Sequence, residues 1–156
     1  MIAPADNIKD GEAEEYFDEF LSYVNSDIRT WQESDETDNL KIWRRDWDPS
    51  TTLCMRNEAF FPDIPPEVAF TTVADIRVRK KWDHRLESYD IIDQSHERIT
   101  QYNKLMKVNI PFFSQRDQVV RQYLRKDYPV KGTHISVAKS VEHPDYPDGH
   151  DGCCRT

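Results

Sequence analysis

The side chains able to hold a metal ion or act as nucleophiles gather near the end of the sequence. His143 and His150 precede the adjacent pair Cys153-Cys154, while His84, His96 and His134 stand apart. A zinc site needs converging ligands, usually with two to four residues between paired cysteines. Adjacent cysteines seldom reach one ion together, and the stretch around these is acidic, so no metal centre is expected. Cys54 has no nucleophile motif around it and reads as core. No serine lies in a G-x-S-x-G elbow, and neither G-x-x-x-x-G-K-[ST] nor G-x-G-x-x-G occurs. Carboxylates are abundant, but none are spaced as an acid–base couple. The chain is therefore not expected to be an enzyme, and no cofactor is implied. One charged run remains, Arg77-Val78-Arg79-Lys80-Lys81, just after Asp75. Arg77, Lys80 and Lys81 read as a solvated face. Asp75 and Arg79 lie one helical turn apart, within pairing reach at i, i+4.

The elements that must position these residues follow from periodicity. Residues 1–11 are polar and read as a flexible leader. From Glu12, Tyr16, Phe17, Phe20, Leu21 and Val24 recur at helical spacing with acidic residues opposite, which predicts an amphipathic helix packed on one face. Residues 35–39 and 48–50 read as turns. Leu40 to Arg45 alternates like a strand, and a longer strand is expected from Thr51 to Phe61, with Leu53, Met55, Ala59 and Phe61 on one face. Pro62 and Pro65-Pro66 stop it. Pro66 suits the first turn of a helix, and the helical pattern runs on to Trp82. Short strands at 89–92, 99–108, 118–124 and 133–140, joined by short turns, predict an antiparallel meander. The Pro-, Asp- and Gly-rich stretch 143–152 reads as loop.

Composition sets the outer bounds. With 156 residues the chain is expected to be one domain. The 21 Lys and Arg against 29 Asp and Glu give a net charge of -8, which argues against a nucleic-acid partner. Aromatic residues make up 12%, too many for a disordered chain. No apolar run could span a bilayer, no signal peptide is read at the start, and three cysteines do not make a disulfide framework. The expected compartment is the reducing cytoplasm.

Three stretches carry a family resemblance. The first runs from Pro65-Pro66-Glu67-Val68 to Asp75-Ile76-Arg77-Val78-Arg79-Lys80-Lys81-Trp82-Asp83, with the form D-x-x-x-R-x-x-W-D at its end. The second is Tyr89-Asp90-Ile91-Ile92. The third is Ile110-Pro111-Phe112-Phe113-Ser114-Gln115-Arg116-Asp117-Gln118-Val119, a P-x-x-x-x-R-D-x-V pattern. In order and spacing the sequence resembles the START lipid-transfer family, and looks most like the phosphatidylcholine transfer protein and its relatives. The resemblance runs over 12–156. It implies an α+β helix-grip fold, a curved antiparallel sheet with an N-terminal helix. Gly152-Cys153-Cys154-Arg155 resembles the opening of a later family strand. The resemblance therefore implies a domain truncated at its C-terminus, with the C-terminal helix missing. An open sheet edge would then favour self-association.

The function implied is binding of one lipid, a phospholipid or a sterol, in an apolar tunnel, with transfer between membranes and transient membrane contact. The other reading is a lipid-sensing or protein-interaction domain of the same fold that transfers nothing. A lipid chain gains about 0.8 kcal/mol per CH2 on leaving water, so a carrier needs a long apolar lining and a few polar groups. Met55, Ala59, Phe61, Tyr102, Met106, Val108, Val119, Ile135 and Val137 are the candidate lining, although their periodicity fits a solid core equally well. By resemblance, Arg79 matches the arginine that meets the lipid phosphate, a task suited to a bidentate, permanently charged guanidinium. Val73 stands where the phosphatidylcholine carrier has an aromatic that helps cage choline, which weakens cation–π recognition. In sterol-binding relatives an acid on a middle strand faces an arginine. Asn103 falls at the acid's place, and Arg121, or Gln122 one residue on, at the arginine's. Trp82, Asp83, Arg116 and Asp117 are family-typical and read as structural.

Overall fold

The computed structural model describes residues 10–46, 53–111 and 113–156. The leader before Asp10, the expected turn at 48–50, and Thr51 and Thr52 lie outside the described residues. The chain divides into two compact units, Phe17–Pro65 and the remainder. Helix α1, Asp10–Val24, begins in one and ends in the other. No helix among the described residues is long and apolar enough to cross a membrane.

The unit Phe17–Pro65 contains a three-stranded antiparallel sheet, β1 Gln32–Thr37, β2 Leu40–Asp46 and β3 Leu53–Ala59, in that order. Strand β1 corrects the expected turn at 35–39: Asp35, Glu36 and Thr37 pair with β2, and only Asp38 and Asn39 turn the chain. Every residue of β1 is exposed, so it has no apolar alternation to betray it; backbone pairing makes the strand, joined by the Glu36–Lys41 ion pair at 2.6 Å and the Arg44 bond to Gln32. In β3, Leu53, Met55 and Ala59 share one face by alternation, and that face is the exposed one. Cys54 and Arg56 are less exposed. Trp31 and Trp43 are buried. The Arg45 guanidinium lies 4.2 Å from the Trp31 ring centre, and Arg56 donates to the Val24 carbonyl at 3.0 Å.

In the second unit, the expected continuous helix is two. Helix α2, Pro66–Ala74, ends where Asp75 adopts extended φ/ψ of -83° and 113°, and α3, Ile76–Arg79, begins after it. The Asp75 carboxylate accepts from the Arg77 N–H at 2.9 Å, an N-cap that starts a new helix. Strands β4 Leu86–Gln94, β5 Arg98–Leu105, β6 Arg116–Lys126 and β7 His134–Ser140 then form the expected antiparallel meander. Bulges between Leu86 and Ser88 and between Ile91 and Asp93 bend β4 along β5. A short β8, Cys154–Arg155, pairs with the start of β6, and this one ladder is parallel.

Alternation splits this sheet into two faces. On one, Tyr102 opposes Val119 and Tyr123 opposes Val137, and these four with Ile135 are buried. Burying each such side chain contributes about 1.5–3 kcal/mol. The start of α1 docks on this face. Glu12 accepts from Arg121 at 2.7 Å, Glu14 pairs with Arg125 at 2.6 Å, and the Tyr16 and Tyr123 rings meet edge-on at 5.0 Å. The opposite face presents Gln101, Asn103, Gln118, Val120, Gln122, Ala138 and Ser140, and it lines the cleft against α2 and α3.

Candidate functional site

The cleft owes its geometry to the segment 75–83. The cap at Asp75 restarts the helix, so that Arg79 stands in its last turn. Arg79 does not turn back to Asp75. Its Nε donates forward to Asp83 Oδ2 at 2.9 Å, and its Nη2 lies 2.8 Å from the same oxygen. The sequence expectation of an Asp75–Arg79 pair is thus corrected. Asp75 uses its oxygen on the cap and lies 3.6 Å from Arg77 instead. The buried Asp83 also accepts from the backbone N–H and Nε of Arg85, at 3.1 and 3.2 Å. Burial opposes its ionisation, but the hydrogen bonds from Arg79 and Arg85 outweigh that and hold its carboxyl below the ordinary 3.8. Trp82, half exposed, donates its indole N–H to the Thr72 carbonyl at 3.1 Å and ties the turn back onto α2. The D-x-x-x-R-x-x-W-D pattern is therefore a cap, a cation, a tie and an anchor.

The cleft holds about 240 Å³ between Val73, Ala74, Ile76 and Arg79 on the helices and β5–β7 beneath. Its floor is polar. Gln122, buried, donates through Nε2 to the Ala74 carbonyl at 3.1 Å and to Ser136 Oγ at 2.7 Å, a strut between α2 and the sheet. Asn103 and Gln101 are 3% and 4% exposed, and Asn103 Oδ1 and Gln101 Oε1 have no hydrogen-bond partner. Asn103 sits directly opposite Gln118 across the β5–β6 ladder. Lys139 contributes to the wall, but its ammonium lies on the other face, 4.4 Å from the Tyr16 ring centre. Arg79, 39% exposed at its side chain, brings the guanidinium to this cleft.

Of the expected site residues, Arg79, Val73 and Asn103 meet here. Asp75 serves as the helix cap. Tyr102 lies on the opposite face, stacked on Tyr146 at 4.7 Å and edge-on to His150 at 5.3 Å. Burial and the nearby Asp117 charge push its phenol pKa well up. Val119, Ile135 and Val137 share Tyr102's face as solid core. Arg121 is on that face too, holding Glu12. Its neighbour Gln122, the alternative register, is the one in the cleft. Met106 and Val108 follow the end of β5 and are exposed, as are Met55 and Ala59 within the other unit's β3 and Phe61 just after it. Gln101, Gln118 and Ser140 were not expected in the site. Gln101 and Gln118 could have been found by even steps along the strand from Asn103 and Gln122, whereas Ser140 on β7 had no such signal. Among the described residues, no group of three or more His, Cys, Asp or Glu converges to hold a metal.

The family model for the START domain matches residues 12–156. No curated protein sequence matches the chain. Among solved structures, human StAR-related lipid transfer protein 5 superposes with a TM-score of 0.79 at 22% identity, covering 92% of this chain and 67% of its own. Human STARD10 superposes with a TM-score of 0.75 at 20% identity, covering 91% and 56%. The human StarD13 (DLC2) lipid transfer and protein localization domain gives 0.62 at 20%, covering 85% and 66%. At these identities the likeness is one of fold, and the chain spans just over half to about two thirds of those structures.

Proposed function

This chain belongs to the START domain family, and on that premise we propose that it binds one phospholipid by its polar end in the cleft between α2–α3 and the sheet, and carries it between membranes. The observation that supports this is Arg79. Asp83 holds one side of its guanidinium, through Nε and Nη2, which fixes the plane. Nη1 keeps its donors for a ligand, and a phosphate is the anion that a guanidinium of fixed plane recognises best. A cleft of about 240 Å³ is smaller than the roughly 300–1,000 Å³ that enclose a drug-sized ligand, so it fits a head group, and the acyl chains need space beyond it.

Membrane contact is assigned to the stretch after β5. Met106, Val108, Ile110 and Phe113 are each about half exposed, with Lys107 among them. Large apolar side chains beside a cation suit the boundary between head groups and chains. The working compartment in this reading is the cytoplasm, with transient visits to membranes.

The test is native mass spectrometry of the chain after incubation with vesicles of a natural phospholipid mixture, followed by a vesicle-to-vesicle transfer assay. One phospholipid per chain and transfer above a protein-free control support the reading. A chain that takes up no lipid overturns it. Binding without transfer replaces the carrier by a lipid sensor.

A further inference from the structure

The floor of the cleft carries two buried acceptors with nothing to accept. Asn103 Oδ1 and Gln101 Oε1 lie two residues apart on β5, on the face turned to α2 and α3. A buried carbonyl oxygen without a donor costs the full desolvation penalty of that group. The neighbouring Gln122 shows the ordinary solution, since its amide is held by Ala74 and Ser136. The Asn103 and Gln101 oxygens have no such protein group. In the rest of the wall, Val73, Ala74, Ile76, Val120 and Ala138 donate nothing from their side chains, and Arg79, Gln118, Lys139 and Ser140, which could donate, bond to neither oxygen. Both oxygens are thus open to donors on whatever fills the cleft.

We propose that the cleft selects a lipid whose head group donates hydrogen bonds from N–H or O–H, and that Asn103 and Gln101 are the residues that read those donors. The inference rests on the lipid-binding reading above and specifies the ligand within it. A primary ammonium satisfies both carbonyls and stays charged beside them. A quaternary ammonium has no donor, and it needs an aromatic cage, whereas the helix side of the cleft offers Val73. Arg79 meets the phosphate, and the amide pair meets what lies beyond it.

The experiment uses head groups that differ only in donor count. The full chain is incubated with acyl-matched vesicles of phosphatidylethanolamine, its N-methyl and N,N-dimethyl derivatives, and phosphatidylcholine, each in the same inert background. Bound lipid is counted by native mass spectrometry. The ammonium donors fall from three to none while the phosphate and the charge stay constant. Uptake should hold for the first two, drop about fivefold at the dimethyl form, and drop about fivefold again at phosphatidylcholine, the size of one lost hydrogen bond at each step. Asn103→Leu and Gln101→Met, each checked for native unfolding behaviour, should flatten the series. Equal uptake across all four lipids overturns the inference and leaves lipid binding standing. No uptake of any lipid, including a natural mixture, overturns lipid binding itself. Dioleoylglycerol keeps a hydroxyl donor and lacks the phosphate. Its uptake at the phosphatidylethanolamine level upholds donor selection and removes the phosphate role from Arg79.

Discussion

Arg79 donates to Asp83 one turn ahead, at 2.9 Å, while Asp75 one turn behind it caps the helix. A buried carboxylate thereby fixes a guanidinium that stays 39% exposed in the cleft. The direction of this pair decides what each residue is for. Asp83→Asn should keep the shape and lose the charge. It removes charge-assisted bonds from Arg79 and Arg85, each worth about 1.5–3 kcal/mol at best and less for the exposed Arg85. A total loss of about 2 kcal/mol in urea unfolding is expected. The Asp83 carboxyl titrates below 3.8 when folded. Its stabilisation is therefore full above that value and fades as pH falls through the lower folded value. Unfolding followed below pH 4 should show a steeper acid loss in the parent than in Asp83→Asn.

Arg79→Gln should lower phospholipid uptake by tenfold or more, with Arg79→Lys between it and the parent, since an ammonium keeps the charge and loses the fork. Asp83 keeps Arg85 as a partner, so both variants should remain folded. Uptake equal to the parent in a folded Arg79→Gln would remove this arginine from the site.

Much of this was legible in the chain and part was not, for physical reasons. The α+β order, the amphipathic first helix and the meander were readable because their apolar positions repeat at 3.6 or at 2. Strand β1 was not, because Gln32 to Thr37 bury nothing. The break at Asp75 was not, because a capping carboxylate and an i, i+4 partner look identical in a sequence. The face of the sheet was the larger difficulty. Periodicity groups Tyr102 with Val119 and Val137 correctly, but it does not say whether an apolar stripe lines a cavity or meets a helix. Its Tyr123 end meets Tyr16 of α1 and its Tyr102 end meets Tyr146 of the loop after β7, and the cleft took the polar stripe of Gln101, Asn103 and Gln122.

That division of faces makes Arg121 and Gln122 separable by experiment. Arg121→Gln should weaken the docking of α1, where Glu12 and Arg121 are both partly buried. Burial opposes ionisation of Glu12, yet the bond and charge of Arg121 hold its carboxyl below 4.5. A double-mutant cycle with Glu12→Gln should return a coupling of about 1 kcal/mol, with lipid uptake unchanged. Gln122→Leu should instead leave the Ala74 carbonyl without its donor, costing about 1–3 kcal/mol. It should also reduce uptake, because the strut that spaces α2 from the sheet is gone. Loss of uptake in a folded Arg121→Gln would place the ligand on the other face.

The R-D pair that opens β6 has the most exacting requirement. Asp117 is fully buried, and its carboxylate is held by Arg155, Nε to Oδ1 at 3.0 Å and Nη2 to Oδ2 at 3.3 Å. The same Nη2 reaches the carbonyls of Tyr146 and Pro147, at 2.8 and 3.1 Å, so one side chain ties the loop after β7, strand β8 and strand β6 together. Arg155→Gln leaves a buried carboxylate without its cation, a change that costs about 3–5 kcal/mol. Asp117→Asn with Arg155→Gln together should recover part of that loss, because neither charge then stays buried alone. Denaturant midpoints of the four species measure it. A single Arg155→Gln as stable as the parent would mean that water or another group reaches Asp117, and that the pair is no anchor for β8.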